Sequence, residues 1–484
     1  MEFHVSLAGR GDLSTRIYRQ LHEAVIDGRL RSGEKLPPTR ELARQLDVSR
    51  NTVALAYERL TAEGFLVGRV GAGTFVCANP PSATLLVDAP DGGVVRARPV
   101  WRELAATSAA AVADNGSDPL PYNFGVGVPD ASRFPMEAWR RQVARQLRET
   151  TATGAGYGQP TGHAGLRAEI ARHIGLSRSV RVGPEAVLIT DGAQQALDLI
   201  GRVLIEPGAR VAVEEPGYPP VRDLFASLGA RVVGVPVDQE GIDVAAIPAA
   251  ARLVYTTPSH QFPLGPPMSL DRRAALLAWA RHNDAAVIED DYDSEFRFAD
   301  RPLEPLYSLA RGDRVLYVGS FSKTMVPMLR LGFLVAPASL RPALLAAKRL
   351  TDRQGEPTTQ GAMARFMADG LFVRHLRRST REYGARRAVI LDVLRRDFAD
   401  RLEVVPATAG LHLTAWLRTP SVDVGALVAR AAAVGVAVGD LAEYHGEGPG
   451  RPGLAIGYGG IAADRIAAGL RLLDEVWADE GVVS

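Results

Sequence analysis

The sequence predicts an α/β protein with an N-terminal winged helix-turn-helix ahead of a larger domain built on a mainly parallel central sheet. Three observations lead there. Residues 13 to 76 carry three helix-spaced apolar patterns followed by a glycine-rich hairpin pattern. Beyond about residue 120, short apolar runs alternate with helical patterns, as a sheet with crossover helices requires. Several of those runs end in polar, chemistry-bearing residues, and open α/β sheets place their ligands at the carboxyl ends of their strands.

A chain of 484 residues with 46% hydrophobic residues can bury a large core and points to two or three domains. Its formal net charge of +1 leaves nucleic-acid binding to a local patch, since no global basic field exists. A single cysteine, Cys77, excludes an internal disulfide framework and fits a reducing, cytoplasmic compartment. Met1 to Arg10 lacks the apolar region of a signal peptide, and no apolar stretch reaches the length of a membrane span. No repeat period is evident.

In chain order, Leu13, Ile17, Leu21, Ala24 and Val25 mark an amphipathic helix over 13 to 27 that Gly28 ends. Thr39 is expected to cap a short helix running to about Leu46. Asp47-Val48 turns the chain, and Ser49 caps a third helix, Arg50 to Glu63, stopped by Gly64. Two short helices joined by a tight turn form a helix-turn-helix, whose second helix enters the major groove. Phe65-Leu66-Val67 and Thr74-Phe75-Val76 flank the Gly68 to Gly73 tip and read as a wing. Lys35, Arg40, Ser49, Arg50, Asn51, Thr52 and Arg69 are the expected DNA face. Arginines and small hydroxyl residues at helix N-termini suit phosphates, and Arg50 and Asn51 also suit base edges. A protein-interaction module with solvated charges is the alternative.

Residues 77 to 120, with Asn79-Pro80-Pro81-Ser82 and Pro90-Asp91-Gly92-Gly93, read as a long linker with at most a turn or two of helix after Trp101. The larger domain is expected over 121 to 484. Its strands are expected at Val187-Thr190, Val211-Val213, Leu253-Pro258, Ala285-Ile288, Val315-Val318 and Leu454-Gly459.

Two strand ends carry the chemistry. Gly319-Ser320-Phe321-Ser322-Lys323, with Arg330 seven residues on, gathers two hydroxyls, turn amides, an amine and a guanidinium around one space. A lysine whose amine sheds its proton on desolvation is suited to attack an aldehyde. The pentapeptide alone fits an ordinary strand-to-loop turn with a solvated lysine better. Upstream, Glu289-Asp290-Asp291-Tyr292-Asp293 ends a neighbouring strand, and a lysine beside a carboxylate is the pair that pyridoxal phosphate needs. A helix cap or a divalent-metal site is the other reading of the acidic cluster. Metal is disfavoured because no histidine or cysteine lies nearby along the chain. Asp191-Gly192-Ala193-Gln194 after a strand offers backbone amides to a phosphate, and Tyr218 puts an aromatic ring at another strand end.

Leu36-Pro37-Pro38-Thr39-Arg40-Glu41-Leu42-Ala43, followed by Val48-Ser49-Arg50-Asn51-Thr52-Val53, resembles the DNA-binding domain of GntR-type regulators across residues 13 to 76. The strand ends after residue 120 resemble, in order, the large domain of fold-type-I aminotransferases, which also implies a smaller C-terminal α+β subdomain. That resemblance implies Lys323 as the Schiff-base lysine, Asp290 as the ring-nitrogen partner, Tyr292 near the ring oxygen and Tyr218 stacked on the ring. It implies Gly192, Ala193, Gln194, Ser320, Ser322 and Arg330 as the phosphate cup, and Tyr157 as reaching the partner subunit's phosphate in a homodimer. A GntR-type helix-turn-helix ahead of such a domain is similar to MocR-type transcriptional regulators. These regulators bind operator DNA and sense pyridoxal phosphate or an amino compound.

Two departures from working aminotransferases stand out. Phe262-Pro263 replaces Asn-Pro, and no carboxylate-binding arginine lies in the last strand, leaving Arg451 as the effector-binding candidate. Both departures weigh against full transaminase turnover, while the intact Lys323 and Asp290 keep an active aminotransferase with an N-terminal interaction module as the alternative function. A regulator whose second domain no longer binds pyridoxal phosphate is a third.

Overall fold

A computed structural model describes residues 12–78, 96–114, 120–153, 156–298, 303–446, 448 and 450–478. The Met1 to Arg10 terminus and the Pro/Gly clusters at 79–82 and 90–93 lie outside the described residues. Between Ala97 and Arg98 the chain divides into two compact units.

In the first unit, α1 (Leu13–Ile26), α2 (Thr39–Gln45) and α3 (Arg50–Ala62) precede a hairpin of β1 (Leu66–Arg69) and β2 (Gly73–Val76). Ile17, Leu21, Val53, Leu60 and Leu66 close one small core; of the periodic residues of the first helix, Ile17, Leu21, Ala24 and Val25 are buried, while Leu13 at its start is exposed. Asp12 caps α1 through the amides of Ser14 and Thr15, whereas Thr39 is the first residue of α2 and not its cap: Pro38 holds that position, without a side-chain hydrogen bond. Ser49 Oγ accepts the Thr52 amide at 3.1 Å, which satisfies one of the donors a helix start leaves open. The wing is antiparallel, with Arg69 opposite Gly73.

The second unit opens with α4 (Pro99–Asp114), which packs beside a later helix. The stretch read as linker thus contains a 16-residue helix. Its Ala-rich second half has the highest intrinsic helix propensity available, which the absence of an amphipathic stripe concealed. β3 (Tyr122–Asn123), α5 (Met136–Thr153) and α6 (Ala164–Arg178) follow.

The central sheet contains β4 (Val187–Thr190), β5 (Arg210–Glu215), β6 (Arg231–Asp238), β7 (Gly241–Ile242), β8 (Ala251–Thr256), β9 (Ala286–Asp291), β10 (Val315–Ser320) and β11 (Gly332–Val335). Their spatial order is β4-β11-β10-β9-β8-β5-β6-β7. The inner strands β10, β9, β8, β5 and β6 are parallel to one another, while β11 runs against both of its neighbours. Between these strands come α7 (Gly192–Leu204), α8 (Pro219–Ser227), α9 (Leu270–His282) and α10 (Leu306–Leu309).

Side chains alternate between two cores, one on each face of the sheet. Ile189, Val254, Val287 and Tyr317 pack on one face, against Leu166 and Ile170 of α6 and Leu276 of α9. Leu188, Tyr255, Ile288 and Val318 pack on the other, with Leu197 and Ile200 of α7 and Phe225 of α8. Strands buried on both faces read as continuous apolar runs, which is how the sequence shows them.

The chain continues through α11 (Arg341–Thr351), α12 (Pro357–Ala368) and the 27-residue α13 (Leu371–Asp397) into a smaller α+β subdomain. That subdomain holds β12 (Leu402–Val404), β13 (His412–Leu417), α14 (Val424–Ala433), β14 (Val436–Ala437), β15 (Gly439–Asp440), β16 (Gly453–Gly457) and α15 (Ala463–Ala478). Its main sheet is antiparallel, in the order β12-β13-β16-β15, and β14 pairs with β3. No helix among the described residues is long and apolar enough to cross a membrane.

Candidate ligand cavity and nucleic-acid face

The strand ends that the sequence singles out meet at one cavity of about 270 Å3. Its wall includes Ala193, Gln194, Tyr218, Asp290, Tyr292, Ser320, Ser322, Lys323 and Arg330. Sequence reasoning missed Val126, Gly127, Tyr255, Thr257 and Pro327 at the same wall, none of which stands in a polar motif.

Pleat parity selects the carboxylate. Asp290 shares the face of Ile288, whereas Glu289 and Asp291 share that of Val287. Glu289 accepts the amides of Leu306 and Tyr307 at 3.0 and 2.8 Å, and burial pushes its carboxyl up to about 7. Asp291 pairs with the buried Arg178 at 2.8 Å and accepts from Tyr317. Asp290 alone of the three lines the cavity. Its Oδ2 accepts the Tyr255 hydroxyl at 2.8 Å, while its Oδ1 is buried without a partner. Burial, reinforced by Asp291, Asp293 and Glu214, lifts its carboxyl to about 7 against the Tyr255 hydrogen bond.

Lys323 follows β10, and its Nζ donates to the Gly127 carbonyl at 2.6 Å. A Cβ at Gly127, whose φ is +74°, would lie 2.8 Å from that nitrogen, so glycine is what lets the backbone come so close. Burial lowers the amine's pKa, opposed by Asp293 and Asp290. At the other end, α7 starts without a side-chain cap, and Ser320, Ser322 and Arg330 stand around its first turn. Gly192, at φ +78°, admits the Arg330 guanidinium, which a Cβ would meet at 3.2 Å. Arg330 itself sits at φ +48° and donates to the Asp191 carbonyl at 2.9 Å.

The donor set fits pyridoxal phosphate. The unpartnered Asp290 oxygen suits a protonated ring nitrogen, the uncapped helix start with Arg330 suits a phosphate, and Lys323 supplies the amine. Tyr218 stands edge-on to Phe262, with ring centroids 5.7 Å apart, and burial pushes its phenol up to about 12.

Histidine is absent near the acidic cluster only along the chain, so the sequence ground for disfavouring a metal does not carry over to space. There His260 Nδ1 is 3.1 Å from Asp293 and 2.8 Å from the Tyr292 hydroxyl. With His412, His260 and Asp293 form a buried group close enough to ligate an ion. Tyr157 does not line the cavity of its own chain; it is 78% exposed, with the Arg353 guanidinium 4.2 Å from its ring centre. Arg451 is not at the cavity either. It pairs with Glu403 at 2.6 Å and stacks on Trp416, an arrangement that occupies its charge at the surface.

In the first unit, Arg40 lies in α2, Ser49, Arg50, Asn51 and Thr52 stand at the start of α3, and Arg69 ends β1; Lys35, Arg40, Ser49, Arg50, Asn51 and Arg69 are exposed and Thr52 is half-buried. Arg50 Nε reaches the Thr39 hydroxyl at 3.5 Å, bringing the starts of α2 and α3 together. Lys35 and Arg69 both lie over the Phe75 ring of the wing, 5.8 and 4.9 Å from its centre.

Residues 13–76 match the family of bacterial regulatory proteins of the gntR type, and residues 121–442 match aminotransferase class I and II. The chain is 35% identical over 459 residues to the probable rhizopine catabolism regulatory protein MocR of Rhizobium meliloti, covering 95% of this chain and 92% of that protein. It is 34% identical over 454 residues to the HTH-type pyridoxine biosynthesis transcriptional regulator PdxR of Corynebacterium glutamicum, covering 94% and 93%. Among solved structures, the α-aminoadipate aminotransferase LysN of Thermus thermophilus superimposes with a TM-score of 0.71 at 30% identity, covering 79% of this chain and 100% of that one. With both domain families matched in this order and relatives aligned over nearly the whole length, the chain belongs to the MocR-type transcriptional regulators of the GntR family.

Proposed function

We propose that this regulator binds operator DNA through residues 13–76, is joined by residues 77–120 to a ligand domain over 121–484, and holds pyridoxal phosphate in the Lys323 cavity as a homodimer. The carrying observation is the convergence of a lysine amine, an unpartnered carboxylate oxygen on Asp290 and an uncapped helix start beside Arg330 on one cavity. When bound, the cofactor supplies an aldehyde that takes up an amine and a ring that draws electrons. The chain's own residues prepare for it. Desolvation favours the neutral, nucleophilic amine of Lys323. Asp290 would hold a proton at the ring nitrogen, with Tyr255 fixing the carboxylate's orientation. The α7 amides, Ser320, Ser322 and Arg330 would hold the phosphate.

The signal is pyridoxal phosphate itself or an amino compound that competes for its aldehyde. Either must have different affinities for two states of the protein to shift them. A mobility-shift titration at fixed salt tests this: DNA affinity differs at least a few fold between loaded and empty protein. Indifference to pyridoxal phosphate, with a response to one amine, leaves the amine as the signal.

A second reading is an active aminotransferase. The chain is 32% identical over 360 residues to the 2-aminoadipate transaminase of Thermus thermophilus, which favours it. Against it, Arg330 is the only arginine lining the cavity among the described residues, so an α-carboxylate would have no guanidinium of its own there. Turnover with a panel of amino acids separates the two readings.

A further inference from the structure

A second cavity, of about 460 Å3, opens between the start of α5 and the first turns of α13. Arg133 and Arg141 line it from one side and Arg374 and Arg378 from the other, and no carboxylate does. Arg374 and Arg378 are one helical turn apart on α13, where like charges repel. Arg133 reaches Glu382 at 3.3 Å, but Arg141, Arg374 and Arg378 form no ion pair among the described residues. Two further donors are buried without partners: the Ser379 hydroxyl, in a residue 1% exposed, and Arg133 Nε. A buried donor left unsatisfied destabilises the protein that holds it. An oxyanion in the cavity offsets the charge of the arginines and offers several acceptor oxygens to the donors of the residues that line it.

We infer that this cavity binds a small ligand carrying a phosphate or carboxylate group. Such binding lies beyond the cofactor reading and does not depend on it. A duplex backbone would meet the exposed arginines at the rim, whereas Ser379, at the cavity wall and 1% exposed, lies beyond its reach.

The cavity also touches the lysine segment. His375 lines it, and its Nε2 lies 2.9 Å from the Thr324 carbonyl, so that nitrogen carries the proton. Thr324 directly follows Lys323. Burial, together with the charges of Arg133 and Arg378, holds His375 below the ordinary histidine range, and an anion alongside would relax the second effect. A ligand here is therefore one hydrogen bond away from the backbone that positions the amine.

The test is calorimetric titration of the full chain with inorganic phosphate and, separately, with succinate, at constant ionic strength set by chloride. Binding to wild type is expected to weaken at least tenfold in the Arg374→Gln, Arg378→Gln double variant. It should weaken about threefold in Ser379→Ala and stay unchanged in Arg377→Gln, whose side chain lies outside the cavity. Phosphate held at the Lys323 cavity persists in every variant, so the difference between proteins isolates this site; matched circular dichroism and melting temperatures exclude misfolding. Superimposable titrations for wild type and the double variant overturn the inference. So does a double variant whose operator affinity falls tenfold while Ser379→Ala binds phosphate as wild type does, which would assign the arginines to the duplex backbone.

Discussion

Tyr255 and Asp290, on adjacent parallel strands, share a buried hydrogen bond of 2.8 Å that uses one carboxylate oxygen and leaves the other without a partner at the cavity. This half-satisfied carboxylate is costly to the empty protein and is the part of the site most dependent on a cationic partner.

Its protonation carries a pH signature. An unfolded aspartate titrates at roughly 3.9, and burial lifts Asp290 to about 7 in the folded, ligand-free protein. The folded state therefore holds a proton that the unfolded chain releases. The resulting stability is fully present below about pH 4 and is lost as the pH rises towards 7. Asp290→Asn, which stays neutral, is expected to be more stable than wild type at pH 8 by roughly 2 kcal/mol or more, with the difference vanishing near pH 4. Denaturant melts of ligand-free protein read this directly, and parallel stability curves across the range would contradict it.

Lys323→Ala is expected to abolish covalent capture of pyridoxal phosphate. After borohydride reduction, peptide mass analysis finds the cofactor's mass on Lys323 in wild type and on no residue in the variant. Retained labelling at the same stoichiometry elsewhere would mean that another amine serves the cavity.

On the DNA side, an Arg50→Ala, Arg69→Ala double variant loses operator affinity. A lost base-edge contact costs about 1–3 kcal/mol and relaxes specificity at that position, whereas a lost phosphate contact weakens all sequences alike and lowers the salt slope by about 1. Wild-type binding and salt slope in this variant would remove both residues from the interface.

Ser49→Ala removes the acceptor of the Thr52 amide at the start of α3. The expected cost is about 1 kcal/mol, read as faster amide hydrogen exchange along Arg50–Ala62 with exchange in the central sheet unchanged. Equal protection in α3 would show that other contacts hold its first turn.

A homodimer follows if the exposed Tyr157, away from its own chain's cavity, serves the cavity of a second copy. Sedimentation at micromolar concentration is expected to give twice the 51.8 kDa chain mass, and Tyr157→Ala to weaken pyridoxal phosphate retention several fold. A monomer that retains the cofactor normally would exclude sharing.

The elements most legible in the sequence are those whose signal is local. The cap at Ser49 and the stop at Gly64 follow from the hydrogen bonds a helix end must find, and the buried strands follow from short unbroken apolar runs. Helix α4 escaped because alanine has strong propensity and almost no amphipathic contrast, so it resembles a linker in an apolar-periodicity reading. Tyr255 and Gly127 escaped because neither residue's type is unusual at its position; what makes them matter is the neighbour each meets from elsewhere in the chain.

By itself the sequence determined the two-part plan and the winged helix with its basic residues, and it singled out Lys323 and the acidic run Glu289-Asp290-Asp291, because each rests on residue type and near-neighbour spacing. Tertiary structure alone decided which members of Glu289-Asp290-Asp291 serve which purpose. Pleating sends alternate side chains to opposite faces, and only the order and register of β8, β9 and β10 determine what waits there: backbone amides for Glu289, Arg178 for Asp291, the cavity for Asp290. It likewise brought His260 and His412 to Asp293 and gathered four arginines around an acid-free cavity, since distances in sequence carry no information about contacts across packed elements.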